Sequence, residues 1–354
     1  MSVARSNANG YHYRMMINAR RGTGSYLLAA GFAVLIPLAM TACSGGDDAA
    51  APSTQAPGDC PTEPVSVVVS VDQWGGIVSQ LGGDCAEVTT VLASSAVDPH
   101  DFEPAPKDAA LFESAQLVVV NGGHYDEWAT KLAASSAAAA PVVNALEVSA
   151  SDDHAHEGED PAPGGEEPAG EGDDHAGEAN PHAWYNPAAV TAVADAVTAE
   201  LRILAPEAAG YFDGRGTQFG DALAPYHRVI ESIKATAAGK TYAATESVFD
   251  DMAAAVGLVN RTPEGYQVTS ANETDPSPAD LDAFLRLLNG RGVDVLIYNV
   301  QTEGSVPQRI RAAAEQAGVP VVEVTESVPP GASSFQSWQV DQLSTLAEAL
   351  GVGG

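Results

Sequence analysis

Basic residues are scarce in this chain: 16 lysines and arginines stand against 47 aspartates and glutamates in 354 residues, a formal charge of −31. Four of the arginines, Arg5, Arg14, Arg20 and Arg21, lie in the first 42 residues, which hold no acid. Beyond that stretch 12 basic residues face the same 47 acids, and the formal charge reaches −35. A surface of that sign repels phosphate backbones, so nucleic acid is excluded as a partner. The sequence also contains no G-x-G-x-x-G, no G-x-x-x-x-G-K, no G-x-S-x-G and no H-E-x-x-H. Nucleotide binding, serine-hydrolase chemistry and metalloprotease chemistry lose their usual support. The one long apolar run, Tyr26 to Met40, is too short for a membrane span.

That run follows the arginines and ends in Thr41-Ala42-Cys43, the pattern of an export signal. It resembles a bacterial lipobox, with Met40 where leucine is commoner. Residues 1–42 are read as a lipoprotein signal peptide and Cys43 as the lipidated first residue of the mature chain. The basic region is long enough that translation could begin at Met15 or Met16. Residues 43–63 are mostly small and polar and form a flexible tether. With Cys43 lipidated, Cys60 and Cys85 remain in an oxidising compartment and are expected to bridge. Each precedes a strand, and if those strands are parallel neighbours both cysteines lie at one end of the sheet. The crosslink would contribute about 3 kcal/mol.

From Val65 onward short apolar runs alternate with amphipathic segments, the signature of parallel sheets with crossover helices. The length suits two domains. Residues 64–187 supply the first, with strands over 65–71, 87–92, 117–121 and 142–146 and helices over 74–81, 106–114 and 125–137. Within it, residues 149–179 carry acids, Gly, Pro and three histidines, His154, His156 and His175, with no basic and no large apolar residue. Such a segment buries too little to fold and is read as a disordered loop able to collect cations transiently. Residues 188–238 read as helical, with a kink or restart near Pro225; His227 there is a surface residue. Residues 239–354 are the second domain, with strands over 241–244, 266–269, 293–298 and 321–324 and helices over 248–256, 278–288, 306–317 and 334–350.

Functional candidates cluster at the carboxyl ends of strands, where open α/β sheets bind ligands. His100 lies in Asp98-Pro99-His100-Asp101-Phe102-Glu103-Pro104, held between two prolines after the strand 87–92. His182 lies in Asn180-Pro181-His182-Ala183-Trp184-Tyr185-Asn186-Pro187. Glu246 follows the strand 241–244, and Glu326 follows the strand 321–324. His124, in Asn121-Gly122-Gly123-His124, is a reserve ligand.

The pair of histidine motifs, in this order and with an acidic, His-containing insertion before the second, resembles the zinc- and manganese-binding receptors of ABC importers over nearly the whole mature chain. The resemblance implies an α/β fold of the cluster A-I periplasmic-binding-protein type: two parallel-sheet βα domains, a long backbone helix between them, and a metal site in the interdomain cleft. It places a histidine or glutamate where Glu246 stands and an aspartate or glutamate where Glu326 stands. His100, His182, Glu246 and Glu326 would then be the ligands, two from each half. The family usually has aspartate where this chain has Asn186, so a carboxylate behind the ligands is missing. Asn299 and Gln301 would orient a ligand carboxylate.

Four protein ligands leave no position for a reactive water, which argues against an enzyme. The expected role is capture of Zn²⁺ or Mn²⁺ by a lipid-anchored monomer on the outer face of the cytoplasmic membrane, for delivery to an ABC permease. The His-containing loop and the Irving–Williams order favour zinc, while the two carboxylates keep manganese next. A metal-dependent hydrolase and an adhesive surface lipoprotein are the competing classes.

Overall fold

Val65–Val71, rich in valine, is buried at every position but Ser66, as suits a strand covered by helices on both sides. It is β1 of the computed structural model, which describes residues 60–93, 102–156 (side chains only to 150), 180–272, 274–302 and 304–353. Asp72–Gly82 follows as α1, burying Trp74, Ile77, Val78 and Leu81. Ala86–Leu92 is β2, and Pro106–Phe112 is α2, begun by its proline at the first helical position. Leu117–Val120 is β3, Glu127–Ser136 α3 and Val142–Asn144 β4. These four strands form one parallel sheet in the order β2-β1-β3-β4.

Ala145–His156 is α4, so the loop expected from residue 149 begins as helix. Asn144 starts it: its Oδ1 accepts the Glu147 amide at 3.3 Å while its Nδ2 donates to the Glu147 carboxylate at 3.0 Å, a reciprocal cap that the sequence reading passed over. Pro187–Leu204 is α5, Ala209–Ala222 α6 and Ala224–Ala237 α7. The expected restart falls at Leu223, just ahead of Pro225.

Thr241–Ala244 is β5, Asp250–Ala255 α8 and Val259–Asn260 β6. Glu264–Ala271 is helix α9, which corrects the expected strand over 266–269. Tyr-Gln-Val-Thr favours strand locally, but α9 turns Tyr266 onto Phe284, with ring centroids 4.8 Å apart, and tertiary packing outweighs propensity. Pro278–Asn289 is α10, capped by Ser277, whose hydroxyl accepts the Asp280 amide. Val295–Asn299 is β7, Ser305–Ala317 α11, Val321–Val324 β8 and Phe335–Ala349 α12. The second sheet, also parallel, runs β6-β5-β7-β8, the same spatial order as the first.

One core cluster runs from β1 and β3 through α5 and α7 to Phe249, Val322 and Trp338, so both sheets share it. A smaller cluster on the far face of the second sheet joins Leu296, Tyr266, Phe284 and Ile310. Cys60 and Cys85 are bonded, their Cα atoms 5.0 Å apart. They precede β1 and β2, whose ends pair as Val65 with Ala86, so the bridge lies at the amino edge of the first sheet. Among the described residues no helix is long and apolar enough to cross a membrane. The signal, Cys43 and the tether up to residue 59 lie outside the described residues.

Candidate metal centre

Each sheet has a crevice where strand order reverses, between the carboxyl ends of β1 and β3 and of β5 and β7. Glu246 stands beyond β5 at the second of these, Glu326 stands two residues beyond β8, and His182 comes from the segment between α4 and α5.

His182 is buried, 6% exposed. Its ring packs edge-on to Trp184 and Tyr125, at centroid distances of 5.4 and 6.1 Å. Nδ1 lies 2.8 Å from Asn180 Oδ1. The Asn180 amide is itself oriented, because its Nδ2 donates to the Ser247 carbonyl at 3.0 Å and its Oδ1 accepts the His182 amide at 3.2 Å. In the neutral ring Nδ1 therefore carries the proton and Nε2 presents a lone pair. That lone pair faces Glu326, with Nε2 and Oε1 3.7 Å apart. The separation is too long for a hydrogen bond. Two ligands on one tetrahedral zinc ion stand about 3.4 Å apart, so the pair is spaced to share a cation.

Glu246 is half-buried, and each carboxylate oxygen has its own donor: Asn299 Nδ2 at 2.6 Å and the Thr302 hydroxyl. Burial pushes its pKa up, the two hydrogen bonds pull it down, and Glu326 raises it again while His182 lowers it. Two acids near one imidazole in a poorly solvated cleft lack positive charge, and a divalent cation would supply it.

The loop carrying Glu326 is held at successive backbone groups. The Thr325 amide donates to Gln342 Oε1 at 2.8 Å, and the Thr325 carbonyl accepts the Tyr185 hydroxyl at 2.7 Å. Gln73 Nε2 donates to the Glu326 carbonyl at 3.1 Å. The Ser327 amide donates to Gln301 Oε1 at 2.8 Å, and the Val328 amide donates to the Asp72 carboxylate. Tyr125, wholly buried, hydrogen-bonds the Glu326 side chain; burial first and the charge of Glu326 second push its phenol pKa up, so it remains a donor. Burial likewise raises Asp72 to about 6. The turn that delivers Tyr125 depends on Gly122 at φ 92°, whose amide donates to the buried Asp126. A Cβ there would meet Asn144 Oδ1 at 2.0 Å.

The structure thus brings His182 and Glu326 together, with Glu246 near enough to feel both. Among the described residues no group of three or more His, Cys, Asp or Glu side chains forms a metal cluster, and His100 lies outside the described residues. His124 is exposed in the turn after β3, and His227 is exposed on α7 beside the Tyr226 ring. The side chains of His154 and His156, and all of His175, lie outside the described residues. Asn299 orients Glu246 as expected. Gln301 does not touch a carboxylate: it holds the Ser327 amide, a correction that follows from its place beside β8. Asn186 caps α5, accepting the Ala188 and Ala189 amides at 3.0 and 3.3 Å, a role aspartate would fill equally. Sequence reasoning missed Thr302, Tyr125, Gln73 and Asp72. The available signal was position alone, since each follows the carboxyl end of β7, β3 or β1.

The profile of the family described as zinc-uptake complex component A, periplasmic, matches residues 67–349. The chain is similar to the high-affinity zinc uptake system protein ZnuA of Bacillus subtilis (strain 168), 29% identical over 109 residues, which are 31% of this chain and 30% of that protein. It is also similar to the manganese-binding lipoprotein MntA of Halalkalibacterium halodurans, 26% identical over 95 residues, 25% of this chain and 31% of that one. The matches therefore span under a third of each curated relative. The solved structure of the periplasmic zinc-binding protein TroA of Treponema pallidum shares the fold, with a TM-score of 0.64 at 17% identity, covering 82% of this chain and 99% of TroA.

Proposed function

The chain belongs to the zinc-uptake complex component A family, and from that premise we propose that it captures a divalent transition metal outside the cytoplasmic membrane and delivers it to an ABC permease. The observation that carries this reading is the His182 Nε2 lone pair 3.7 Å from Glu326 Oε1, in a cleft that also holds Glu246.

His182, Glu246 and Glu326 are three ligands of the cargo ion, and His100, named by its motif, is the fourth. Asn180 keeps the imidazole in the tautomer that binds metal. Asn299 and Thr302 hold Glu246, so little ordering entropy opposes binding. Two carboxylates neutralise a divalent charge, and two imidazoles make the set borderline enough to prefer zinc over manganese. Four protein ligands fill a tetrahedral shell and leave no position where water could be activated, so the protein binds and releases without turnover. An adhesive role would require no such convergence. The protein is a monomer anchored through lipid on Cys43. Its two lobes correspond to residues 64–187 and 239–354, joined by the helices of 188–238, and their shared core limits relative motion.

Zinc titration calorimetry on the exported form tests this. His100→Ala and His182→Ala should each abolish tight binding, whereas deleting residues 151–178 should remove only weak additional sites. Tight binding that survives both histidine changes and vanishes with the deletion would overturn the assignment.

A further inference from the structure

The two acids differ in what holds them. Glu246 receives both of its hydrogen bonds from residues 299 and 302, within its own lobe. Glu326 stands on a loop whose backbone is gripped from the other lobe, by two consecutive residues at the start of α1. The Asp72 carboxylate faces the Val328 amide from the first turn of α1. Gln73, 1% exposed, donates from one nitrogen to the Glu326 carbonyl at 3.1 Å and to the Tyr125 hydroxyl at 2.7 Å. Tyr125 in turn hydrogen-bonds the Glu326 carboxylate. Gln73 therefore touches Glu326 by two routes, directly at the backbone and through Tyr125 at the side chain. These contacts join residues 253 positions apart in sequence.

We propose that Asp72 and Gln73 are positioning residues for Glu326: the amino end of α1 holds the loop after β8 so that the Glu326 carboxylate meets the ion alongside His182. The inference rests on the metal-binding reading above. A backbone shift of about 1 Å at a ligand is enough to spoil coordination, and partners standing behind metal ligands commonly change affinity about 10–100-fold when removed. In the second lobe Gln301 serves Ser327 and Gln342 serves Thr325, the residues on either side of Glu326. The pair also links the lobes at the cleft, so the placement of Glu326 depends on both halves, unlike that of Glu246.

The test uses the full exported chain, with zinc dissociation measured by a chelator chase and the coordination geometry read from the visible absorption of the cobalt-loaded protein. Asp72→Ala and Gln73→Leu should each speed zinc release by about 10-fold or more and alter the cobalt spectrum. Asp72→Asn retains an oxygen for the Val328 amide and should restore most of the wild-type rate and spectrum. Thermal melting of the apo variants identifies any that fail to fold; for those, Gln73→Glu, which replaces the donor with an acceptor and should likewise speed release, carries the comparison. Wild-type release rates and cobalt spectra in folded Asp72→Ala and Gln73→Leu would overturn the proposal. Absence of zinc binding in the wild type would instead overturn the metal-binding reading.

Discussion

Glu246 and Glu326 occupy matching places, each just past the carboxyl end of a strand in the second sheet, yet they are held in different ways. The carboxylate oxygens of Glu246 accept one donor from the last residue of the neighbouring strand and one from the loop after it. Glu326 has its backbone tied on one side by Gln342 and Gln301 and on the other by Asp72, Gln73 and Tyr185. Glu246 is therefore held within one lobe, whereas the placement of Glu326 depends on the relation of the two lobes. Under the proposed metal-binding role such a site would couple the integrity of the interface to affinity, and the core shared by both sheets would oppose a large hinge motion.

The comparison is broken most severely by removing a ligand. Glu326→Ala and His182→Ala should each weaken zinc binding at least about 100-fold, because each deletes a charge or lone pair from a small set of donors. Glu246→Ala should do the same, and calorimetric affinities within about threefold of wild type for any of them would remove that residue from the set.

The comparison is sharpened by changing what stands behind the acids. Asn299→Ala leaves Glu246 with one donor and should cost roughly 10-fold in affinity. Tyr125→Phe should act on Glu326 alone and cost less, since the loop retains its backbone ties. An equal loss in the two variants, measured by competition with a chromophoric chelator, would show that the two acids are held alike.

Proton linkage gives a smaller, graded effect. Glu246, Asp72 and Asp250 all have folded pKa values raised by burial, the latter two to about 6 from 3.8. A raised acid binds more protons folded than unfolded, so its contribution to stability is present at low pH and is lost as pH rises from the unfolded value through the folded one. The proposed metal would act with the opposite sign, because it would need Glu246 ionised. The apo melting temperature should therefore fall between about pH 4 and 6.5, while the increment added by zinc grows. A zinc increment that is flat with pH would contradict the ionised-acid assignment.

The smallest effect on binding is expected at the far edge of the first sheet. Replacing Cys60 and Cys85 by alanine removes a bridge across 25 positions and should lower stability by about 3 kcal/mol. Zinc affinity should stay within about twofold, as the bridge stands at the opposite end of β1 from Gln73.

Much of this arrangement is legible in the sequence because parallel strands buried on both faces write themselves as valine-rich runs, and an acid at a strand end is marked by where such a run stops. Thr241–Ala244 running into Glu246 and Val321–Val324 running into Glu326 are of this kind. β6 escaped because two residues, one of them Asn260, make no run. The strand assigned over 266–269 failed because its β-forming side chains are turned by α9 onto α10. Asp72, Gln73 and Tyr125 were invisible for a deeper reason: nothing local distinguishes them, and their roles arise from contacts with a loop about 200 or more positions away. Asn299 was found because it directly follows the strand expected over 293–298, next to the acid it serves, and it ends β7 in the structure.

Anomalous diffraction at the zinc absorption edge, from crystals of the protein loaded with one equivalent of zinc, tests the central claim most directly. The account predicts one dominant peak bonded to His182 Nε2, Glu246, Glu326 and His100, with distances near 2.0–2.2 Å. A dominant peak elsewhere, or one that leaves both Glu326 and His182 outside bonding distance, would contradict it.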